Sequence, residues 1–229
     1  MTRQELLKGL TLSAQVYEDV QPDCPQERIK LVKDPVSGVE YAAHRDGTDT
    51  LTIVFRGTDS ARDWRSNFMF AKKVIPYGNA ASPVRVHEGF LKAYKSPQVR
   101  DRILPLIGGH TKKVRITGHS RGAALAALCA LDVHYHYPQC CLQVLLFGCP
   151  RVGNRAFADS YNRRIFQTFN VRNGGDLVTH LPPALLGYRH VGVRLRVGSA
   201  WVYLAALRRR IADLGYESDT GRGDWQGTM

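Results

Sequence analysis

The hydrophobic positions of this 229-residue chain follow two periods, one helical and one extended, in turn along the sequence. Apolar side chains from Leu6 to Tyr17 recur at helical spacing and predict an opening helix over residues 3–17. Two short runs, VEYAAHR at 39–45 and LTIVFRG at 51–57, predict strands that are joined by the turn DGTD. The second run is almost wholly apolar, which is typical of a strand at the centre of a sheet.

The rest of the chain continues this alternation. Extended segments are predicted for KKVRITG at 112–118, CLQVLLFG at 141–148 and IFQTFNVRN at 165–173. Helices are predicted in the second part of residues 84–104 and over residues 121–137. Strands that alternate with helices indicate an α/β fold with a mostly parallel central sheet and helices on both faces. In such sheets ligands bind at the carboxyl ends of the strands.

Length and segment composition predict the domain organisation. The chain length favours a single domain over residues 1–215, and the polar, glycine-rich end at 216–229 predicts a flexible tail. No run of about 18 apolar residues exists, so no membrane span is expected. The first residues carry charges too closely spaced for a signal peptide, and the default expectation is therefore a cytoplasmic protein.

Net charge and cysteine spacing bear on whether the chain binds lipid surfaces, nucleic acid or metal ions. The net charge of +12 and the pI near 9.7 are typical of proteins that bind an anionic lipid surface or nucleic acid, and equally of a generally basic, soluble surface. No nucleic-acid-binding module accompanies the charge, so we expect peripheral contact with an anionic membrane and no nucleic-acid partner. The five cysteines lack metal-ligand spacing and are interpreted as mostly buried thiols.

One short motif carries recognisable chemistry. GHSRG at 118–122 fits the pattern G-x-S-x-G, between a predicted strand and an alanine-rich helix. A serine hydroxyl is a weak nucleophile, so it needs a histidine to take its proton and a carboxylate to orient that histidine. Asp176 follows another predicted strand, so Ser120 and Asp176 are expected at the same edge of the sheet.

Six ordered blocks, which span most of the chain, resemble the class 3 (fungal-type) lipases of the α/β-hydrolase superfamily. The match includes the expected strand before the oxyanion loop, the nucleophile motif and the block that carries the acid. The blocks are IVFRGT at 53–58, DSARDWRSNFMF at 59–70, VHEGFLKAY at 86–94, GHSRGAALA at 118–126, FGCPRVGN at 147–154 and NGGDLVTHLPP at 173–183.

The resemblance implies a lipase-like hydrolase that acts on carboxylic esters of lipids or on small esters. By position, Ser120 is the nucleophile and Asp176 is the acid of the triad. Thr58 and the backbone N–H of Arg121 would form the oxyanion hole, which binds the charge that develops on the attacked carbonyl oxygen. The resemblance implies no metal and no organic cofactor.

The resemblance also implies a lid and shows a departure. Asp59, Trp64 and Phe68 lie in the segment that holds the lid helix of the family, directly after the oxyanion loop. The alternative is an ordinary core helix with aromatic packing. Arg121 stands where the family usually has an apolar residue, so its side chain either holds an anionic headgroup or faces solvent.

The histidine that serves as the base of the triad is not evident from the sequence. The family places this histidine after the acid, and in the best register Gly198 occupies its position. Three explanations are open: a rebuilt loop that brings His190 into the role, a base from elsewhere such as His87 or His180, or the loss of catalysis. The third explanation gives the alternative function, a lipase-like protein that binds a lipid or a partner.

Overall fold

The fold is organised around a central sheet. The computed structural model describes residues 2–17, 30–47, 49–57, 72–74 and 81–197. Within these ranges the strands are β1 (Lys30–Asp34), β2 (Val39–Asp46), β3 (Thr50–Phe55), β4 (Lys72–Val74), β5 (Arg85–His87), β6 (Lys113–His119), β7 (Cys141–Phe147), β8 (Gly153–Asn154), β9 (Thr168–Asn173), β10 (Tyr188–Arg189) and β11 (Val193–Val197).

Seven of these strands form the main sheet in the order β1-β2-β3-β6-β7-β9-β11. The five strands from β3 to β11 run parallel, while β1 and β2 add an antiparallel edge. The predicted mostly parallel sheet is confirmed, although β1 and β11 were not predicted. β3 is buried from Leu51 to Phe55 because sheet neighbours and helices cover it, as its apolar run indicated.

Helices cover both faces of the main sheet, as predicted. They are α1 (Arg3–Gln15), α2 (Glu88–Tyr94), α3 (Arg100–Ile103), α4 (Arg121–His136) and α5 (Arg155–Arg164). The opening helix begins with a capping box, because the Thr2 side chain accepts from the Glu5 N–H while the Glu5 carboxylate accepts from the Thr2 N–H. Such reciprocal bonds satisfy backbone donors that a helix start leaves open.

The two faces hold separate apolar clusters. On one face, Leu6 and Leu10 of α1 pack with Leu145, Phe147 and Val171 of the sheet. On the other face, α4 contributes a long buried stretch that includes five alanines, whose small side chains let the helix lie close to the sheet. The close approach fixes the start of α4 relative to the strand ends, where the serine motif lies.

A second, smaller sheet was missed by the sequence analysis. Its order is β10-β8-β5-β4, with antiparallel pairs throughout. Each strand is only two or three residues long, so no alternation of apolar and polar positions could reveal it. The sheet joins the start of α2 to the loop after β9, on the side of the molecule that carries Asp176.

Two further expectations concern membrane-spanning helices and the bounds of the domain. Among the described residues no helix is long and apolar enough to cross a membrane. Residues 198–229, which include Gly198 and the predicted tail, lie outside the described residues. The single domain over residues 1–215 therefore stays a prediction.

Candidate active site

Ser120 occupies a strained turn between β6 and α4. Its backbone has φ 54° and ψ −125°, and among the described residues it is the one non-glycine residue with positive φ. Such strain persists only where the surroundings fix the backbone, and it is typical of functional sites. The Ser120 N–H donates to the Phe147 carbonyl at 2.9 Å, which ties the turn to the end of β7.

The two glycines of the motif are required by close backbone contacts. A Cβ on Gly118 would lie 2.6 Å from the Gly122 carbonyl carbon, and a Cβ on Gly122 would lie 2.4 Å from the Phe55 carbonyl oxygen. Real Cβ atoms do not approach backbone so closely. The glycines therefore let β6, the start of α4 and the end of β3 meet, and this contact brings Ser120 next to the loop that follows β3.

The first turn of α4 offers an anion-binding position. The backbone N–H of Arg121 donates to no acceptor within the part of the chain that the structure describes. A free N–H at a helix start carries partial positive charge and points out of the helix beyond its N-terminus. The position suits an oxyanion donor. Thr58, the other predicted donor, lies outside the described residues, as do the predicted lid residues Asp59, Trp64 and Phe68.

The side chain of Arg121 points neither to a headgroup site nor to open solvent. Its guanidinium donates to the carbonyls of Ser37 at 2.7 Å and Gly38 at 3.0 Å, in the turn between β1 and β2. Burial lowers the pKa of Arg121. The departure from the family's apolar residue therefore has a structural role here, since it fixes the serine turn to the antiparallel edge of the sheet.

Replacement of Arg121 by methionine is expected to destabilise the fold by about 2 kcal/mol, because two carbonyl acceptors lose charged donors. Urea denaturation measures the change. Arg102→Met, at an exposed arginine of α3, is the matched control and should shift the midpoint little. Equal shifts in the two variants would contradict the structural role.

Asp176 follows β9 and lies at the same sheet edge as Ser120. Its Oδ1 accepts from the Val178 N–H at 2.9 Å, while Oδ2 has no hydrogen-bond partner among the described residues. A Cβ on Gly148, which has φ +57°, would lie 2.7 Å from Asp176 Oδ2 and 3.4 Å from His119 Nε2. The glycine after β7 thus leaves room for the carboxylate beside the residue that precedes Ser120. Burial raises the pKa of Asp176.

The His119 ring contacts the opening segment of the chain through Nδ1, while its Nε2 lies beside Gly148. Its Nδ1 lies 2.9 Å from the Tyr17 hydroxyl, just beyond α1. Burial lowers the pKa of His119 to about 4. The contact joins the opening segment to the serine turn. Sequence analysis did not predict this contact, because the two residues are far apart in the chain.

His190 makes no contact of the kind that a catalytic triad requires with Asp176. Its ring bonds to the Thr179 backbone, and burial together with Arg151, Arg194 and Arg172 lowers the pKa of His190 to about 3. The structure records no hydrogen bond or ion pair between His190 and the Asp176 carboxylate. A catalytic base must become positively charged during the reaction, and three arginines oppose that charge. The role of base stays a prediction that the surroundings disfavour.

The two other candidate bases have different partners. His180 Nδ1 lies 3.1 Å from the backbone carbonyl of Asp176, and the ring is exposed. His87 Nδ1 accepts from the N–H groups of Gly89 and Phe90, so it caps the start of α2. Neither histidine bridges Ser120 and Asp176 in this arrangement.

A mostly parallel sheet with a serine on a strained strand-to-helix turn defines an α/β-hydrolase. The chain belongs to the family described as Lipase (class 3), whose sequence profile matches residues 52–186. The resemblance that the sequence motifs indicated is confirmed.

Individual relatives agree with this membership. A lipase of Rhizomucor miehei is 35% identical over 209 residues, which cover 82% of this chain and 56% of the relative. A secreted mono- and diacylglycerol lipase of Fusarium solani is 31% identical over 156 residues, covering 66% and 44%. The chain spans about half the length of these curated relatives.

Solved structures show the same fold. A triacylglycerol lipase whose catalytic centre is described as a serine protease triad superposes with a TM-score of 0.74 at 32% identity. The match covers 85% of this chain and 79% of that chain. The α/β-hydrolase fold predicted from the sequence is therefore confirmed.

The comparisons also correct one expectation. The default placement in the cytoplasm is wrong, because relatives from Fusarium solani and Malassezia globosa are named as secreted lipases. That expectation rested only on the closely spaced charges of the first residues, and this pattern does not determine the compartment in which this fold works.

Proposed function

We propose that this chain is a serine carboxylic ester hydrolase that acts on lipid esters. The proposal rests on one observation: Ser120 stands on a strained turn, with a free backbone N–H beside it, at the sheet edge that also holds Asp176. Family membership and the lipase relatives support the same reaction class. They give no support to the alternative of a binding protein without catalysis.

In the proposed reaction Ser120 Oγ attacks the acyl carbonyl and transfers its proton to a histidine. Asp176 accepts a hydrogen bond from that histidine and stabilises the imidazolium that forms. The Arg121 N–H and Thr58 bind the oxyanion, and each such donor contributes about 3 kcal/mol to the transition state. Water then hydrolyses the acyl-enzyme and restores Ser120.

The free acceptor on Asp176 indicates where the base must enter. Oδ2 faces the space beside Gly148 without a partner among the described residues, while Oδ1 is held by the Val178 N–H. A base histidine would donate to Oδ2 and reach Ser120 from the same side. Single His180→Ala, His190→Ala and His87→Ala variants, compared with Gly198→His, identify the base by their kcat values.

The segment from Asp59 to Phe70 completes the proposal as a lid. Its position after the oxyanion loop lets an apolar face cover the serine in water and open at a lipid surface. Trp64 and Phe68 are the aromatic residues assigned to that face. Peripheral contact with an anionic membrane would then bring the site to its substrate.

Covalent trapping tests the nucleophile directly. A fluorophosphonate should label one serine, and peptide mass spectrometry should place the label on Ser120, because only an activated hydroxyl reacts readily. The labelled chain should lose hydrolysis of p-nitrophenyl esters and of emulsified triacylglycerol. Ser160→Ala removes a partly exposed serine of α5 and should leave labelling unchanged. A label elsewhere, or none, would contradict the assignment.

A further inference from the structure

A group of arginines lies beside the acid loop with little negative charge around it. Residues 160–197 contain six arginines and a single carboxylate, that of Asp176. We define the arginine cluster as Arg151, Arg172, Arg189 and Arg194. Arg151 is in electrostatic reach of the other three, since burial and their charges together lower the pKa of Arg151. A bound anion would stabilise positive charges that lie so close together.

The register of the sheet builds part of this crowding. Arg172 of β9 stands directly opposite Arg196 of β11, and Arg194 stands opposite Asn170. Asn170, Arg172, Arg194 and Arg196 lie on one face of the sheet. Phe169 lies on the opposite face, which packs against α1. Like charges directly opposite each other destabilise a strand pair. Among the described residues β11 is the outermost strand on this side of the sheet. Its Arg194 and Arg196 are exposed, and Arg172 of β9 is partly exposed.

The members of the cluster divide into held and free side chains. Arg151 Nη1 donates to the Pro182 carbonyl at 2.8 Å, and Arg189 Nη1 donates to the Ala184 carbonyl at 3.0 Å. Arg172 and Arg194 make no recorded hydrogen bond or ion pair with any residue that the structure describes. Two guanidinium groups are thus fixed in position, while two keep all their donors for a ligand.

A buried polar atom adjoins the same cluster. His190 Nδ1 is buried and has no hydrogen-bond partner in the described part of the chain. The pKa of the His190 ring is lowered by the positive charges of Arg151, Arg172 and Arg194. A bound anion would offset their charge, and a protonated Nδ1 would then donate to it. Buried polar atoms rarely lack a partner, so this atom points to a ligand.

Exposed leucines lie next to the arginines. Leu185 is 92% exposed and Leu186 is 43% exposed, in the 3₁₀ turn Ala184–Leu186. Arg189 is bonded to the carbonyl of Ala184 in that same turn. Leu177, beside Asp176, is also 43% exposed. Apolar side chains beside basic ones are the combination that binds an anionic lipid surface.

We propose that the arginine cluster binds a phosphate group, with Arg172 and Arg194 as the principal donors. A phospholipid headgroup and free phosphate present the same chemistry, and the adjacent leucines favour the headgroup. The inference deepens the proposed function, because it assigns a phosphate-binding surface beside the ester-hydrolysing site. Phosphate binding needs no turnover, so the two proposals can fail separately.

The test compares two charge-matched pairs of substitutions. Arg172→Gln with Arg194→Gln removes the free donors of the cluster. Arg102→Gln with Arg163→Gln removes the same charge from exposed positions on α3 and α5. Both pairs are made in the Ser120→Ala background, so that no lipid is consumed. Binding is measured with vesicles of phosphatidylcholine and phosphatidylglycerol, and Tm is measured with inorganic phosphate against chloride at matched ionic strength.

The cluster pair should weaken vesicle binding by about fivefold per arginine, hence roughly twenty-five-fold in all, and the control pair much less. Phosphate should raise the Tm of the parent and of the control pair but not of the cluster pair. A phosphate effect without a vesicle effect would assign free phosphate as the ligand. Equal behaviour of the two pairs with both probes would overturn the proposal.

Folding of the cluster pair has its own readout. Without phosphate its Tm should equal or exceed that of the parent, because the substitutions relieve repulsion between Arg172 and its strand neighbour. A protein that binds vesicles through the cluster but never hydrolyses esters would refute the proposed function alone. Ester hydrolysis with no phosphate binding would refute this inference alone.

Discussion

Ser120→Ala is expected to lower kcat for ester hydrolysis by about 10⁴-fold or more, because in the proposed reaction Ser120 Oγ forms the acyl-enzyme. The fold should survive, since the Ser120 N–H keeps its bond to Phe147. Alanine at φ 54° costs about 1–3 kcal/mol of strain, which the serine already bears. Initial rates with a p-nitrophenyl ester give the ratio of kcat values.

The control for this result is Ser160→Ala, which should keep the parent kcat. Residual hydrolysis over the uncatalysed rate should persist in Ser120→Ala through the oxyanion donors. If Ser120→Ala keeps more than about a tenth of the parent kcat, the nucleophile lies elsewhere and the proposed reaction is wrong.

Asp176→Asn is expected to lower kcat by about 10⁴-fold, because an amide cannot hold the base histidine in its reactive tautomer. The side chains have the same size, so the loop geometry should be kept. Asp159→Asn, at an exposed position on α5, is the matched control with the same loss of charge. Steady-state kinetics should place the loss in kcat rather than in KM.

A stability measurement separates catalysis from folding in this variant. Burial raises the pKa of Asp176, so the ionised carboxylate costs stability above its unfolded pKa. Asp176→Asn removes that cost, and the variant should be at least as stable as the parent at neutral pH. A large loss of stability, with activity lost in proportion, would make Asp176 a structural residue only.

The central fold could be predicted because its signals are local. The apolar run at 51–55, the helical spacing in 3–15 and the alanine-rich helix after Ser120 each report a single element whose burial fixes its composition. The serine motif is local as well, since its glycines are dictated by clashes within a few residues of the turn and with β3. Six ordered motifs then sufficed to indicate the family.

The short strands and the partners of single side chains could not be predicted in this way. Strands of two or three residues carry no periodic pattern, so the second sheet had no signal. Arg121 binds carbonyls 83 and 84 positions earlier in the chain. His190 was assigned to the triad from its order after Asp176, whereas its ring lies among arginines. Order along the chain does not determine distance in space.

The sequence by itself determined the α/β class, the position of Ser120 on its turn and the candidate acid, because those follow from residue types and short-range spacing. Only the tertiary structure decided that Asp176 keeps an open acceptor beside Gly148, that Arg121 ties down the edge of the sheet, and that Arg172 and Arg194 gather by strand register. These contacts join segments far apart in the chain. Their geometry depends on how the sheet and the helices pack, which no local pattern records.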